Sequence, residues 1–180
     1  MPVPDFSPGE VLTAAAMDSI GLWLVKTQTV GAGVSSVVVT SAFSTNYDSY
    51  RIIIRGVDCS AVDNAYFLTL SGSTGSTYSS ILNWLDYAAG SLSGTRLNSS
   101  NSGFLVALSG AENETNAVVD IHNPFRTLRT TMTAQSANSF YNTFSGGRDA
   151  NTASSTGFTI VAPAGQTFTG GTINVYGYRN

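Results

Sequence analysis

Charge is what this sequence has least of. Asp, Glu, Lys and Arg make up 11% of its 180 residues, against about 25% in an ordinary soluble domain. The cations are one lysine and seven arginines, scattered along the chain. The net charge is −3 and the pI is near 4.8. Such a distribution argues against the basic patch that marks a nucleic-acid-binding domain. Disorder is excluded from the other side. A 42% hydrophobic content with a small net charge is the reverse of the disordered signature. Cysteine and histidine occur once each, as Cys59 and His122. This rules out an intramolecular disulfide and any multi-His or Cys-cluster metal site. No apolar run approaches the roughly 20 residues of a membrane helix. The run Leu22-Trp23-Leu24-Val25 near the start stops at four. The first cation is Lys26, so no secretory signal is expected, and the sequons at Asn98 and Asn113 read as chance hits.

What is present instead is uncharged polarity. Ser, Thr, Asn and Gly together supply 76 of the 180 residues, so solubility rests on hydroxyls and amides. A chain of this length buries roughly 70% of its unfolded surface in one core. The expectation is a single domain with a short appended arm.

Residues 1–30 read as that arm. Pro2, Pro4 and Pro8 keep its start extended, and a short helix follows over about 13–20. Thr13 can cap the first turn through its hydroxyl, Ala14 to Met17 are good helix formers, and Gly21 suits the left-handed stop. An earlier start, with Ser7, Pro8 and Glu10 as a capping box, is the alternative. Under three turns long, such a helix does not stand alone in water and must dock. Val11, Leu12, Met17, Ile20 and Trp23 are the residues expected to anchor it.

From Leu22 onward the pattern is β. Val34–Thr40 is rich in β-branched residues, and Ala65–Leu70 alternates strictly. In Tyr50–Val57, the run Ile52-Ile53-Ile54 predicts a central strand covered on both sides. Further strands are expected at 103–108, 115–123, 127–135, 139–144, 157–161 and 171–178. Turn residues separate them, Gly146-Gly147 and Asn123-Pro124 among them. Residues 71–103 hold Ile81, Leu82, Trp84, Leu85, Tyr87 and Leu92, too many apolar groups for a disordered loop. They read as an excursion packed on the domain or on a neighbouring chain. The fold class expected is all-β: an antiparallel β-sandwich of jelly-roll type over 31–180, after the short arm with its one helix.

Chemistry is sparse. Nucleophilic catalysis needs a base within reach of the nucleophile. The one candidate imidazole, His122, ends a strand with no orienting group evident in sequence. Glu112 and Glu114 read as a solvated loop, Asp58 and Asp63 lack EF-hand spacing, and Cys59 reads as a small buried hydrophobe. No catalytic, cofactor-binding or metal-ligating residue is assigned. Among the aromatics, Phe67, Phe104, Phe158 and Tyr176 are expected in the core. Trp84, Tyr87, Phe140, Tyr141 and Phe144 lie beside breaks and polar residues. Aromatic and amide groups side by side stack on sugars or anchor interfaces. Trp84, Tyr87, Phe140, Tyr141, Asn142 and Arg148 are therefore the candidate receptor or subunit contacts.

Three segments then carry a resemblance. Phe6-Ser7-Pro8-Gly9-Glu10-Val11-Leu12-Thr13-Ala14-Ala15-Ala16-Met17-Asp18-Ser19-Ile20-Gly21 resembles the opening of many bacteriophage tail-fibre, minor-tail and other virion proteins. The strand entry Phe43-Ser44-Thr45-Asn46-Tyr47-Asp48-Ser49-Tyr50-Arg51-Ile52-Ile53-Ile54 looks like a segment of the same proteins. The ending Val175-Tyr176-Gly177-Tyr178-Arg179-Asn180 is similar to their C-termini. The resemblance implies a virion structural protein whose N-terminal element docks on the particle and whose β domain projects as a homotrimer. A short tail fibre or tail-tip protein contacting a host-surface glycan or protein comes first. A capsid decoration protein is the alternative, and a tailspike-like glycan hydrolase the third. Other virion proteins are the implied partners, with no nucleic acid and no membrane insertion.

Overall fold

The computed structural model describes residues 21–100, 102–110 and 115–178. The helix expected over 13–20, with Val11, Leu12, Met17 and Ile20, lies outside the described residues, as do Glu112 and Glu114. Twelve strands follow in order: β1 (Leu22–Thr29), β2 (Ser36–Val39), β3 (Ser49–Arg55), β4 (Ala65–Leu70), β5 (Tyr78–Asp86), β6 (Leu92–Ser100), β7 (Phe104–Leu108), β8 (Asn116–His122), β9 (Thr130–Ala137), β10 (Tyr141–Asp149), β11 (Phe158–Val161) and β12 (Thr172–Tyr178). They form an all-β sandwich. One sheet has eight strands in the order β1-β12-β3-β8-β9-β10-β5-β6, and the other has four in the order β2-β11-β4-β7. Every pairing is antiparallel.

Setting aside the hairpins β5–β6 and β9–β10 leaves β1-β12-β3-β8 facing β2-β11-β4-β7. The chain passes between these two sheets in the order of a jelly roll. The two hairpins are insertions, one between β4 and β7, the other between β8 and β11. They pair with each other through β10 and β5 and widen one sheet by four strands.

Alternation drives this arrangement. In β3 the inward Tyr50, Ile52 and Ile54 are fully buried, and β8 contributes Ala117, Val119 and Ile121 to the same side. They pack with Leu68, Phe104, Phe158 and Ile160 of the smaller sheet. Each such aliphatic or aromatic side chain contributes about 1.5–3 kcal/mol on burial. All five residues of β7 are buried although it is an edge strand. Edge backbone groups need partners when water is excluded, and two serines of the larger sheet supply them. The Leu105 N–H donates to Ser80 Oγ at 3.1 Å, and the Ser145 hydroxyl donates to the Leu105 carbonyl.

Several expectations are corrected. Residues 22–29, counted with the arm, pair along β12 as the edge strand of the larger sheet, so the β domain begins near Leu22 instead of residue 31. Their alternation meets an open edge, and edge pairing outweighs the compositional break at Gly31. The 71–103 excursion is a strand hairpin that joins the sheet. Gly146-Gly147 is not a turn, since β10 runs through it. A Cβ at Gly147 would lie 2.9 Å from the Phe104 ring and 2.8 Å from the Ser79 carbonyl, so glycine there allows β10 to seat on the core. Tyr176 is half-buried on the outer face, because inward and outward positions of β12 are set by Ile173 and Val175. β3 is central, yet among the described residues it is covered on its inner side alone, and Ile53 faces outward.

Candidate functional site

Ile53 points to the feature of interest, the outer face of the eight-stranded sheet. Opposed residues of paired strands sit side by side, so this face reads as transverse rows. One row runs Asn174, Ile53, Val118, Gln135, Phe144, Asn83. The neighbouring row runs Tyr176, Arg51, Asp120, Thr133, Gly146, Ile81 and ends on Arg96 of β6. Two depressions, of about 510 and about 560 Å³, share Val118, Gln135 and Phe144. The first extends to Arg55, Asn116 and Asn142, and the second to Arg51, Asp120 and Thr133.

Phe144 is 51% exposed in mid-strand and has no aromatic partner among the described residues. Next to it, Gly146 leaves open space, the nearest atom to a Cβ there being the Met132 carbonyl at 3.8 Å. The Gln135 and Asn142 side chains have no hydrogen-bond partner among the described residues. The face thus offers an exposed ring, apolar Ile53 and Val118, and two amides free to donate and accept.

Its one carboxylate among the described residues is occupied. Arg51 donates Nε to Asp120 Oδ1 at 2.8 Å and a terminal nitrogen to Oδ2 at 2.7 Å, and the Tyr178 hydroxyl donates to Oδ1 at 2.8 Å. The Arg51 guanidinium also lies 5.6 Å from the Tyr178 ring centre. Burial alone would raise the Asp120 carboxyl, but the Arg51 and Tyr178 hydrogen bonds with the Arg51 charge outweigh it and hold it below its ordinary value. Arg55, Arg96 and Arg148 project from the same face with no acidic partner among the described residues.

The candidate contacts from sequence separate into three places. Asn142 and Arg148 lie on the outer face, facing Leu85 and Ser79 respectively across β5. Tyr87 and Phe140 are 51% and 42% exposed at one end of the sheet, where the Tyr87 N–H donates to the Phe140 carbonyl at 3.0 Å. Tyr141 sits beside them. Its hydrogen bond with Asp63 pushes its phenol up to about 12. Trp84 turns inward and packs with Leu82, Leu105 and Leu108. Trp23 is half-buried opposite Gly177, and its Nε1 has no partner among the described residues. Leu22 and Leu24 on either side of it are 41% and 58% exposed.

Ile53, Val118 and Gln135 were absent from the sequence candidates. For Ile53 and Val118 the signal was present as apolar residues out of phase with the buried positions, in Ile52-Ile53-Ile54 and Val118-Val119; Gln135 carried none.

Other chemical groups serve the fold. Ser49 Oγ and His122 Nδ1 lie 2.9 Å apart on an exposed strand end, and no carboxylate hydrogen-bonds that imidazole among the described residues. Buried Asp58 accepts from the Gly110 N–H at 2.7 Å, the Thr115 N–H at 3.1 Å and the Thr115 hydroxyl, tying β7 to β8. Burial pushes the Cys59 thiol up to about 11, which leaves it an unreactive neutral thiol. Arg126 is paired with Asp48. No family model, no curated protein and no solved structure matches this chain.

Proposed function

We propose that this chain is a non-enzymatic structural protein of a bacteriophage particle, a short tail-fibre or tail-tip unit that attaches to a host-surface glycan. The observation that carries the reading is the outer face of the large sheet, uncovered among the described residues. There an exposed Phe144 stands between unengaged amides and two depressions. Sugars present apolar C–H faces ringed by hydroxyls. A ring flanked by amides matches both halves of that surface. The jelly roll alone carries no functional argument, since one architecture hosts many activities.

A non-enzymatic role is supported by the carboxylates. Glycoside hydrolysis uses a pair of them across the bond. On this face Asp120 stands alone among the described residues and is held by Arg51 and Tyr178. Attachment to the particle belongs to the arm and to Leu22 and Leu24, which extend an apolar strip from β1 beside Tyr176 and Tyr178. The trimer and the partnership with other virion proteins follow from the tail-fibre resemblance and are part of the same proposal. That apolar strip equally suits the decoration of a capsid. Copy number on purified virions separates the two, at a few to a few dozen for a fibre and several hundred for decoration.

The direct test is binding of the purified full chain to an array of bacterial surface polysaccharides, beside a Phe144→Ala variant. Retention of one glycan class by the parent, lost in a folded variant, is the expected result. No retention by the parent, or equal retention by both, would contradict it.

A further inference from the structure

Charge divides this molecule unevenly. The whole chain carries −3. Yet the outer face of the large sheet carries four arginines, Arg51, Arg55, Arg96 and Arg148, against one aspartate among the described residues, Asp120. Arg51 is consumed by Asp120. Three guanidinium groups are left without an acidic partner among the described residues. Arg55 borders the first depression together with Asn142 and Phe144. Arg148 lies four residues along β10 from Phe144 on the same side, and Arg96 closes the neighbouring row on β6. From β3 to β6 is five strand spacings, or about 24 Å.

We propose that the glycan taken by this face is acidic, a uronic- or sialic-acid-type chain lying across the strands with one carboxylate on Arg55 and a sugar face on Phe144. A guanidinium holds a carboxylate through two parallel N–H donors, a geometry lysine does not reproduce. The amides of Gln135 and Asn142 are placed to meet the sugar hydroxyls. Arg96 and Arg148 extend the positive surface along the polymer, so charges beyond the first sugar are also met. Three of the five cations without a salt bridge among the described residues, Arg55, Arg96 and Arg148, lie on this face of a protein that is acidic overall, and this complementarity selects an acidic ligand over a neutral one. Nucleic acid is the weaker match, because single strands bind on successive aromatic platforms and Phe144 is the one aromatic ring among the described residues that line these depressions.

The inference rests on the glycan-attachment reading, and the experiment separates the two. Titration calorimetry of the full chain compares trigalacturonic acid with its methyl ester, in which each carboxylate charge is replaced by a neutral methyl ester. The acid is expected to bind at least tenfold more tightly. Arg55→Gln should remove that preference, bringing acid and ester to similar affinity, and Phe144→Ala should weaken both ligands. Equal affinity for acid and ester, or a preference that survives Arg55→Gln, overturns the acidic-ligand inference and leaves the attachment reading standing. A parent protein that holds neither trisaccharide and retains nothing on the polysaccharide array overturns both. Displacement of the acid by an equal concentration of oligothymidylate assigns the face to nucleic acid and overturns the inference as well.

Discussion

The two faces of the large sheet are built from the same strands, one residue apart, and they differ in almost every property. The inner positions of β3 and β8 are Tyr50, Ile52, Ile54, Val119 and Ile121, all fully buried. The outer positions between them are Arg51, Ile53, Val118 and Asp120, half-buried or exposed. The inner face is closed by four strands of the smaller sheet. Among the described residues nothing covers the outer face, yet it keeps apolar groups and an exposed phenylalanine in its centre. The contrast teaches that hydrophobicity on the inner face is explained by folding. On the outer face it has no partner among the described residues, and this makes that face the functional candidate.

The comparison breaks most sharply by truncation in equivalent positions. Ile54→Ala removes a fully buried side chain and should cost about 2–5 kcal/mol. Val118→Ala, on the opposite side and 37% exposed, should stay within about 1 kcal/mol. Urea unfolding of the two variants checks the difference, and equal losses would mean the outer face is covered in solution.

The adjacent glycines of β10 give the same test with added atoms. Gly147→Ala forces a Cβ toward Phe104 and Ser79 and should cost about 1–3 kcal/mol. Gly146→Ala places a Cβ at an ordinary 3.8 Å from the Met132 carbonyl and should be neutral or stabilising by up to about 1 kcal/mol. Thermal melts of both variants decide it.

A smaller effect concerns acid. The Asp120 carboxyl sits below its ordinary 3.8 in the folded protein. Its contribution is therefore present above that value and fades as pH falls through the lower, folded value. Asp120→Asn should lower stability modestly at neutral pH, where the charged carboxylate contributes, and flatten the stability–pH curve below about pH 4, so that variant and parent converge in acid. Unfolding midpoints from pH 2 to 7 measure it.

Much of the fold was legible because burial imposes a period of two. Ala65–Leu70 and Thr115–Asn123 alternate, and their strands fall where expected, as β4 and as residues 116–122 of β8. The arm boundary was misplaced because Leu22–Thr29 needs a neighbour, β12, that lies at the far end of the chain. The hairpin β5–β6 escaped because most of β6, including Leu92 at 73% exposure, faces water on both sides and shows no alternation. Reading Gly146-Gly147 as a turn failed for a long-range reason, the proximity of Phe104 to β10.

The candidate site was less legible. Phe144, Asn142 and Arg148 could be suspected singly, but Val118, Gln135 and Ile53 join them only through the registers of β3, β8, β9 and β10. Trp84, attractive by residue type, is spent on the small cluster around Leu82.

The central claim is that the ligand lies on the outer face, across Phe144. Nuclear magnetic resonance of isotope-labelled full chain, titrated with trigalacturonic acid, tests it residue by residue. The account predicts that the side-chain amides of Gln135 and Asn142 and the ring of Phe144 shift together, while the inward Trp84 indole stays still. Shifts confined to Tyr87 and Phe140 at the sheet's end, or none on the outer face, would contradict it.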